Sequence, residues 1–102
     1  MKYKLEVVVW PNPRKRLEFK QTLECLVEDL HNCCSSLMIN VSENGLNYTI
    51  LAQWENSDQM RHTLRSNKFS ILYGAIIGLC DNTVIRIDGK PAGNDIAKLL
   101  EF

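Results

Sequence analysis

Residues 54–69 read WENSDQMRHTLRSNKF and contain two helix-start signals directly after the end of a strand. Trp54 closes an alternating apolar run, Asn56 or Ser57 can cap a short helix, and Ser66 can cap a second one. Met60 and Leu64 lie four residues apart, which places them on one face of the first helix. The segment therefore predicts a strand followed by a helix in two parts.

The flanking sequence supplies the remaining elements. Strict alternation of apolar side chains predicts four strands: residues 4–10, 37–42, 48–54 and 83–88. Asn12 can cap a long helix that ends near Cys33, and Asn44-Gly45 predicts a hairpin turn. The order strand, helix, strand, strand, two-part helix, strand predicts an α+β, ferredoxin-like fold, a split β-α-β with a four-stranded antiparallel sheet and helices on one face. We expect one domain over residues 1–102, with a core at 3–88 and a C-terminal extension at 89–102, in which residues 94–102 predict a short helix.

Composition excludes several classes of partner. Twelve basic and twelve acidic side chains give no net charge, which disfavours nucleic acid and anionic membranes as partners. The longest apolar run, residues 71–80, is well short of the roughly 20 residues of a membrane span, and residues 1–10 do not resemble a signal peptide. We therefore expect a cytoplasmic protein with no membrane or nucleic-acid partner.

Four cysteines occur, of which Cys33 and Cys34 are adjacent and follow His31. No second Cys or His pair stands at a zinc-site spacing, so we predict no metal. The chain is apolar enough to fold without disulfides, and we expect free thiols.

The side of the sheet away from the helices is also apolar. If Leu5, Val7 and Val9 face the helices, then a second set points the other way: Val8, Trp10, Met38, Leu51 and Val84. Such an area is too contiguous to remain wet in a monomer, so a second copy related by a two-fold axis is predicted to cover it. The alternative is that the C-terminal helix covers its own sheet.

The order of elements, together with TILAQWENS at residues 49–57 and LRSNKF at residues 64–69, resembles the antibiotic biosynthesis monooxygenase family of dimeric α/β barrels. The resemblance covers most of residues 3–88. It implies a homodimer whose sheets pack face to face, with a pocket in each subunit between sheet and helices. Members of this family include cofactor-independent oxygenases that act on aromatic polyketides or quinols, and also haem-degrading enzymes, so the resemblance implies an activity of one of these kinds.

Several residues match or depart from the family pattern. The family often has a His nine residues after the strand-end Trp, where this chain has Thr63, with His62 one position earlier and turned toward the polar face. The haem-degrading members would have Trp at Thr63 and a His ligand at Tyr73, so haem degradation is disfavoured. The catalytic candidates are Tyr73, Thr63 and His62, and the alternative for His62 is an exposed structural residue, since proton transfer needs a group within hydrogen-bond reach of the substrate.

The pocket that the resemblance implies would be lined by aromatic side chains, namely Trp54, Phe69 and Tyr73, with Trp10 nearby. The alternative is that these side chains are plain core. Gly74 and Gly78 in the last helix suggest close packing against a neighbour. Residues 14–16 could attract a carboxylate at a helix start, or be a solvated basic turn.

Gly-rich phosphate loops and nucleophile motifs are lacking in the sequence, so we expect no cofactor. Two functions remain open. One is a cofactor-independent oxygenase of, or a binding protein for, a small aromatic or quinone-like molecule. The other is a non-catalytic homodimeric ligand-binding or assembly module.

Overall fold

A computed structural model describes residues 3–88 and residues 90–91. The strands are β1 (Tyr3–Pro11), β2 (Ser36–Val41), β3 (Tyr48–Trp54), β4 (Cys80–Ile87) and the two-residue β5 (Lys90–Pro91); the helices are α1 (Arg16–Cys33), α2 (Ser57–Leu64) and α3 (Asn67–Leu79). All neighbouring strands are antiparallel, in the order β2-β3-β1-β4-β5. The predicted α+β ferredoxin-like fold is confirmed, with β5 added at one edge of the four-stranded sheet. The predicted helix at 94–102 lies outside the described residues.

The two helix-start signals after β3 are both used. The Asn56 side chain accepts a hydrogen bond from the backbone N–H of Gln59 at 2.9 Å, and the Ser66 hydroxyl accepts one from Phe69 at 3.2 Å. Each bond satisfies a donor that the first turn of a helix leaves free. These caps divide the helical segment into α2 and α3, as the sequence predicts.

The predicted start of α1 is wrong by about one turn, because Asn12 does not cap this helix. Its side-chain oxygen accepts from the backbone N–H of Arg14 at 2.9 Å, and its carbonyl accepts from Lys15 at 2.9 Å. These bonds form a separate turn before the helix, which begins only at Arg16. β4 also begins earlier than predicted, because Cys80 already pairs with Pro11 of β1.

The core lies between the inner face of the sheet and the three helices. Alternate residues of β1 are buried, among them Leu5, Val7 and Val9, and the same alternation runs through β3. The helices contribute a stripe at helical spacing: Phe19, Leu23, Leu26 and Leu30 from α1, Met60 and Leu64 from α2, and Phe69, Leu72, Tyr73 and Ile76 from α3. One layer of helices therefore covers one face of the sheet.

The prediction that Gly74 and Gly78 permit close packing is wrong. A Cβ atom added to either glycine would meet nothing within 4 Å. Both residues lie on the solvent side of α3, opposite the buried stripe, and Ile77 beside them is 71% exposed. They are therefore not required by a neighbouring element among the described residues.

Candidate functional site

The aromatic side chains that the sequence places in a pocket instead fill the interior. Trp54, Phe69 and Tyr73 are 0%, 5% and 7% exposed. The rings of Phe69 and Tyr73 meet edge to face, with centroids 4.8 Å apart. Trp10 does not join them. It follows the buried Val9 in β1, so the alternation places its side chain on the outer face of the sheet, where its register partner in β4 is Asn82. Three of the four predicted pocket residues therefore lie together as packed core.

Tyr73 is poorly suited to proton transfer in this position. Its hydroxyl lies 3.4 Å from the carbonyl oxygen of Leu64, to which it donates, and both atoms are buried. Burial raises the pKa of Tyr73 far above its usual value, which disfavours the phenolate. The phenol is a neutral hydrogen-bond donor that joins α3 to the end of α2.

Thr63 lies at the centre of a buried polar cluster. Its hydroxyl oxygen accepts from the indole N–H of Trp54 at 2.9 Å, and its proton faces the carbonyl oxygens of Cys33 at 2.9 Å and Gln59 at 3.0 Å. The same indole N–H is 3.1 Å from the Cys33 carbonyl. We call the Trp54 indole, the Thr63 hydroxyl and the Cys33 carbonyl the Trp54–Thr63–Cys33 cluster. It links β3, α2 and the last residue of α1, so the Thr63 hydroxyl has a structural role.

An open cleft lies outside this cluster, where α1 ends and α2 begins. Its volume is about 670 Å³, and its walls include Cys33, Cys34, Glu55, Asp58, His62 and Thr63. His62 is exposed, one position along α2 from the buried Thr63, as the helical spacing predicts. We call this space the α1–α2 cleft. It brings an imidazole, two thiols and two carboxylates to one opening, and sequence reasoning missed it because α1 and α2 are far apart in the chain.

Metal binding has little support at the cleft. Among residues 3–88, no three His, Cys, Asp or Glu side chains converge in a way that could hold a metal ion. Cys33 and Cys34 are free thiols, as are Cys25 and Cys80. Burial, with a smaller contribution from Cys33, raises the pKa of Cys34 to about 11.

The outer sheet face carries the residues predicted for a dimer interface. In register across three strands, Met38 pairs with Leu51 and Leu51 with Glu6, while Val8 pairs with Val84 in the next row. Met38 is 55% exposed, and Val8, Leu51 and Val84 are half-buried. This face is the outer side of a sheet whose inner side is covered by the helices.

One ion pair on the outer sheet face was not predicted. Glu6 and Arg86 are register partners, and their side chains form a salt bridge at 2.6 Å. The signal was present in the sequence, because both residues occupy outward positions of neighbouring strands, but only the register shows that they face each other.

A smaller apolar groove runs between α1 and the edge strand β2. It has a volume of about 240 Å³, and its apolar lining is Leu23, Val27, Ile39, Val41 and Tyr48. The basic turn at residues 14–16 lies at the start of α1, where Lys15 donates from Nζ to the carbonyl of Gly78 at 3.2 Å. Within residues 3–88, no helix is long and apolar enough to span a bilayer.

Comparison with known proteins supports the fold alone. No protein-family model matches the chain, and no curated protein matches it. Solved structures do match. A structure described as an antibiotic biosynthesis monooxygenase superimposes with a TM-score of 0.75 at 12% identity, covering 83% of this chain and 94% of the other. Rv0793 from Mycobacterium tuberculosis gives 0.79 at 11% identity, with 85% and 92% covered.

A conserved protein from Methanosarcina mazei Go1 gives a TM-score of 0.77 at 19% identity, with 88% of this chain and 93% of the other covered. The chain has the fold of these proteins over nearly their whole length. The resemblance to antibiotic biosynthesis monooxygenases, predicted from residues 49–57 and 64–69, is thus confirmed at the level of the fold.

Proposed function

We propose that this chain is a monooxygenase-like protein that works as a homodimer and binds a small aromatic or quinone-like molecule in the α1–α2 cleft, with cofactor-independent oxygenation as its activity. The observation that carries the proposal is the cleft itself. Its volume of about 670 Å³ falls within the range of small-molecule sites. The fold that the chain shares with a structure described as an antibiotic biosynthesis monooxygenase supports the choice of reaction.

The chemistry needs one proton acceptor and no metal. His62 lines the cleft and is exposed, so its imidazole can take a proton from an acidic hydroxyl or C–H of a bound ligand. The ligand anion then supplies electrons to molecular oxygen. One oxygen atom enters the product as a carbonyl, and the other leaves as water. Thr63 and Tyr73 are not assigned to this step, because their hydroxyl groups already have buried partners.

Dimerisation is proposed on the outer sheet face. Val8, Leu51 and Val84 are central to it, and covering them with a second copy would remove their apolar side chains from water, beside the polar Glu6 and Arg86 of the same face. A two-fold axis would bring the same face of each copy together. The salt bridge between Glu6 and Arg86 would then lie between the sheets, paired within each copy.

A second candidate function is a non-catalytic homodimeric binding or assembly module. One observation favours it: the interior is filled where an oxygenase of this fold was expected to hold its substrate. Trp54 is fully buried, and the polar atoms of Trp54, Thr63 and Tyr73 are engaged. Under this alternative the α1–α2 cleft binds a ligand or a partner without turnover.

Oxygen consumption with a panel of quinols, naphthols and anthrones distinguishes the two functions. We expect uptake with the parent protein, a loss of at least tenfold in His62→Gln, and no change in His31→Gln. His31 is the matched control, because it is exposed at the end of α1 but is not part of the cleft lining. Ligand binding by calorimetry without uptake would favour the non-catalytic module. If the protein shows neither ligand binding nor oxygen uptake with this panel, the proposed ligand site is refuted.

A further inference from the structure

Two adjacent thiols end α1 at the edge of the α1–α2 cleft. Cys33 is exposed and Cys34 is half-buried, and both line the cleft. The role proposed for the cleft does not use either thiol. The Cys33 carbonyl belongs to the Trp54–Thr63–Cys33 cluster, so the backbone between the two thiols is connected to the interior of the protein.

The peptide bond between the two cysteines is held from inside the protein. Its carbonyl group belongs to Cys33 and accepts from the Trp54 indole at 3.1 Å and from the Thr63 hydroxyl at 2.9 Å. Trp54 is 0% exposed and Thr63 is 2% exposed. A rotation of this peptide would therefore break two hydrogen bonds, after which the indole N–H keeps only the Thr63 hydroxyl as acceptor and the Thr63 hydroxyl keeps only the Gln59 carbonyl.

A disulfide between neighbouring residues requires such a rotation. Consecutive Cα atoms stay about 3.8 Å apart across a trans peptide, closer than the roughly 4.4–6.8 Å that is usual for disulfides, and Cys34 has an extended backbone with φ −121° and ψ 155°. The two sulfur atoms can meet only if the backbone torsions on either side of the linking peptide change, which turns the plane of that peptide. The resulting bond is strained, and strained or exposed disulfides are the easily reduced, regulatory ones.

No other pairing is open to these thiols within one chain. Cys25 precedes Cys33 by eight residues of α1, which is about 12 Å along a helix axis and too far for a disulfide. Cys80 pairs with Pro11 of β1 and therefore lies near the N-terminal end of α1. Cys33 lies at the C-terminal end of this 18-residue helix, which is about 27 Å long, so Cys80 is also too far away for a disulfide.

We propose that Cys33 and Cys34 form a reversible oxidation site, in which a vicinal disulfide releases the Cys33 carbonyl from Trp54 and Thr63 and changes the shape of the α1–α2 cleft. The oxidant is a peroxide. The sulfur of Cys33 attacks one peroxide oxygen and becomes a sulfenic acid, and the other oxygen leaves as water. The sulfur of Cys34 then displaces the hydroxyl group from Cys33, which forms the S–S bond and a second water.

The balance is two thiols oxidised and one hydrogen peroxide reduced to two waters. Cys33 is the thiol that reacts first, because it is exposed while Cys34 is half-buried. Burial raises the pKa of Cys34, which leaves less of its reactive thiolate and so also favours Cys33 as the first thiol to react. A dithiol reductant reverses the reaction by thiol exchange.

The test monitors both the thiols and the Trp54 indole. The protein is treated with hydrogen peroxide, and we expect free thiols to fall from four to two per chain, with a Cys33–Cys34 disulfide in the peptide mass spectrum. The indole N–H resonance of Trp54 should shift in a proton–nitrogen NMR spectrum and return after dithiothreitol. Trp10→Phe assigns the peak, since the chain has two tryptophans.

Cys34→Ser is the informative variant and Cys25→Ser the matched control, because Cys25 is exposed on the same helix but outside the cleft. The first should abolish the indole shift, and the second should leave it intact. Three results would overturn the proposal: four thiols that survive peroxide, oxidation only to disulfides between chains, or a Cys33–Cys34 disulfide that leaves the Trp54 resonance in place.

Discussion

Replacing Thr63 by Val tests whether the Trp54–Thr63–Cys33 cluster holds the end of α1 to β3 and α2. Thr63 is 2% exposed, and its hydroxyl bonds the Trp54 indole and the Cys33 or Gln59 carbonyl. Valine has nearly the same shape and a similar helix propensity, so the substitution removes the hydroxyl and little else.

The expected loss can be worked from these contacts. The Trp54 indole keeps one acceptor, the Cys33 carbonyl, so it is not left without a partner. The cost is that of one to two neutral hydrogen bonds, about 1–2 kcal/mol of unfolding free energy. For a domain of this size, each kcal/mol lowers the melting temperature by roughly 4–8 °C.

Urea denaturation followed by circular dichroism measures the change, provided that the slope with urea stays constant. Thr22→Val is the matched control, because Thr22 is also a helical threonine whose hydroxyl donates to the carbonyl four residues earlier, at 2.9 Å, but it does so at the surface. We expect that control to cost less than about 0.5 kcal/mol. If Thr63→Val costs no more than Thr22→Val, the cluster does not stabilise the fold and the reasoning fails.

Four further predictions follow from particular positions. Val84→Asp places a charge on the outer sheet face and should yield a monomer or insoluble protein; a variant that sediments as a dimer would contradict the face-to-face arrangement. His62→Ala, on the exposed side of α2, should change the unfolding free energy by less than about 0.5 kcal/mol in urea titrations. Gly74→Ala should increase the free energy of unfolding by about 0.5–1 kcal/mol and so raise the melting temperature, because an added Cβ meets no atom within 4 Å. A lower melting temperature would contradict this open placement. Burial raises the pKa of Cys34 to about 11 and that of Cys80 to about 12, both from 9.0. The unfolded state therefore loses these protons first, and the free energy of unfolding should fall as pH rises above 9. Cys34→Ser and Cys80→Ser should each reduce that fall, as measured by thermal melts over this pH range.

The sequence predicted the elements that have local signals. Alternation located the four main strands, and the caps at Asn56 and Ser66 located the starts of α2 and α3, because a cap is a contact between residues three apart. Asn12 misled the prediction of α1, since an Asn side chain serves a turn as readily as a helix start. The resemblance to a known fold also rested on local residues, and solved structures confirm it for the fold.

The candidate site was predictable only in part. His62 and Thr63 were distinguished correctly as an exposed and a buried position, because one residue turns a helix by about 100°. The pocket among Trp54, Phe69 and Tyr73 was not found, because whether aromatic side chains enclose a space or fill it depends on packing between elements. The cleft was missed because its two walls, at residues 32–35 and 55–63, are separated in the sequence by the whole of β2 and β3.

What the sequence determined by itself was therefore the order of the elements and the face that each side chain presents, since both follow from periodicities of two and 3.6 residues and from caps within one turn. Only the tertiary structure determined the register that joins Glu6 to Arg86, the packing that fills the interior, and the meeting of α1 with α2 that forms the cleft. These features depend on distances between residues far apart in the chain, which no local pattern specifies.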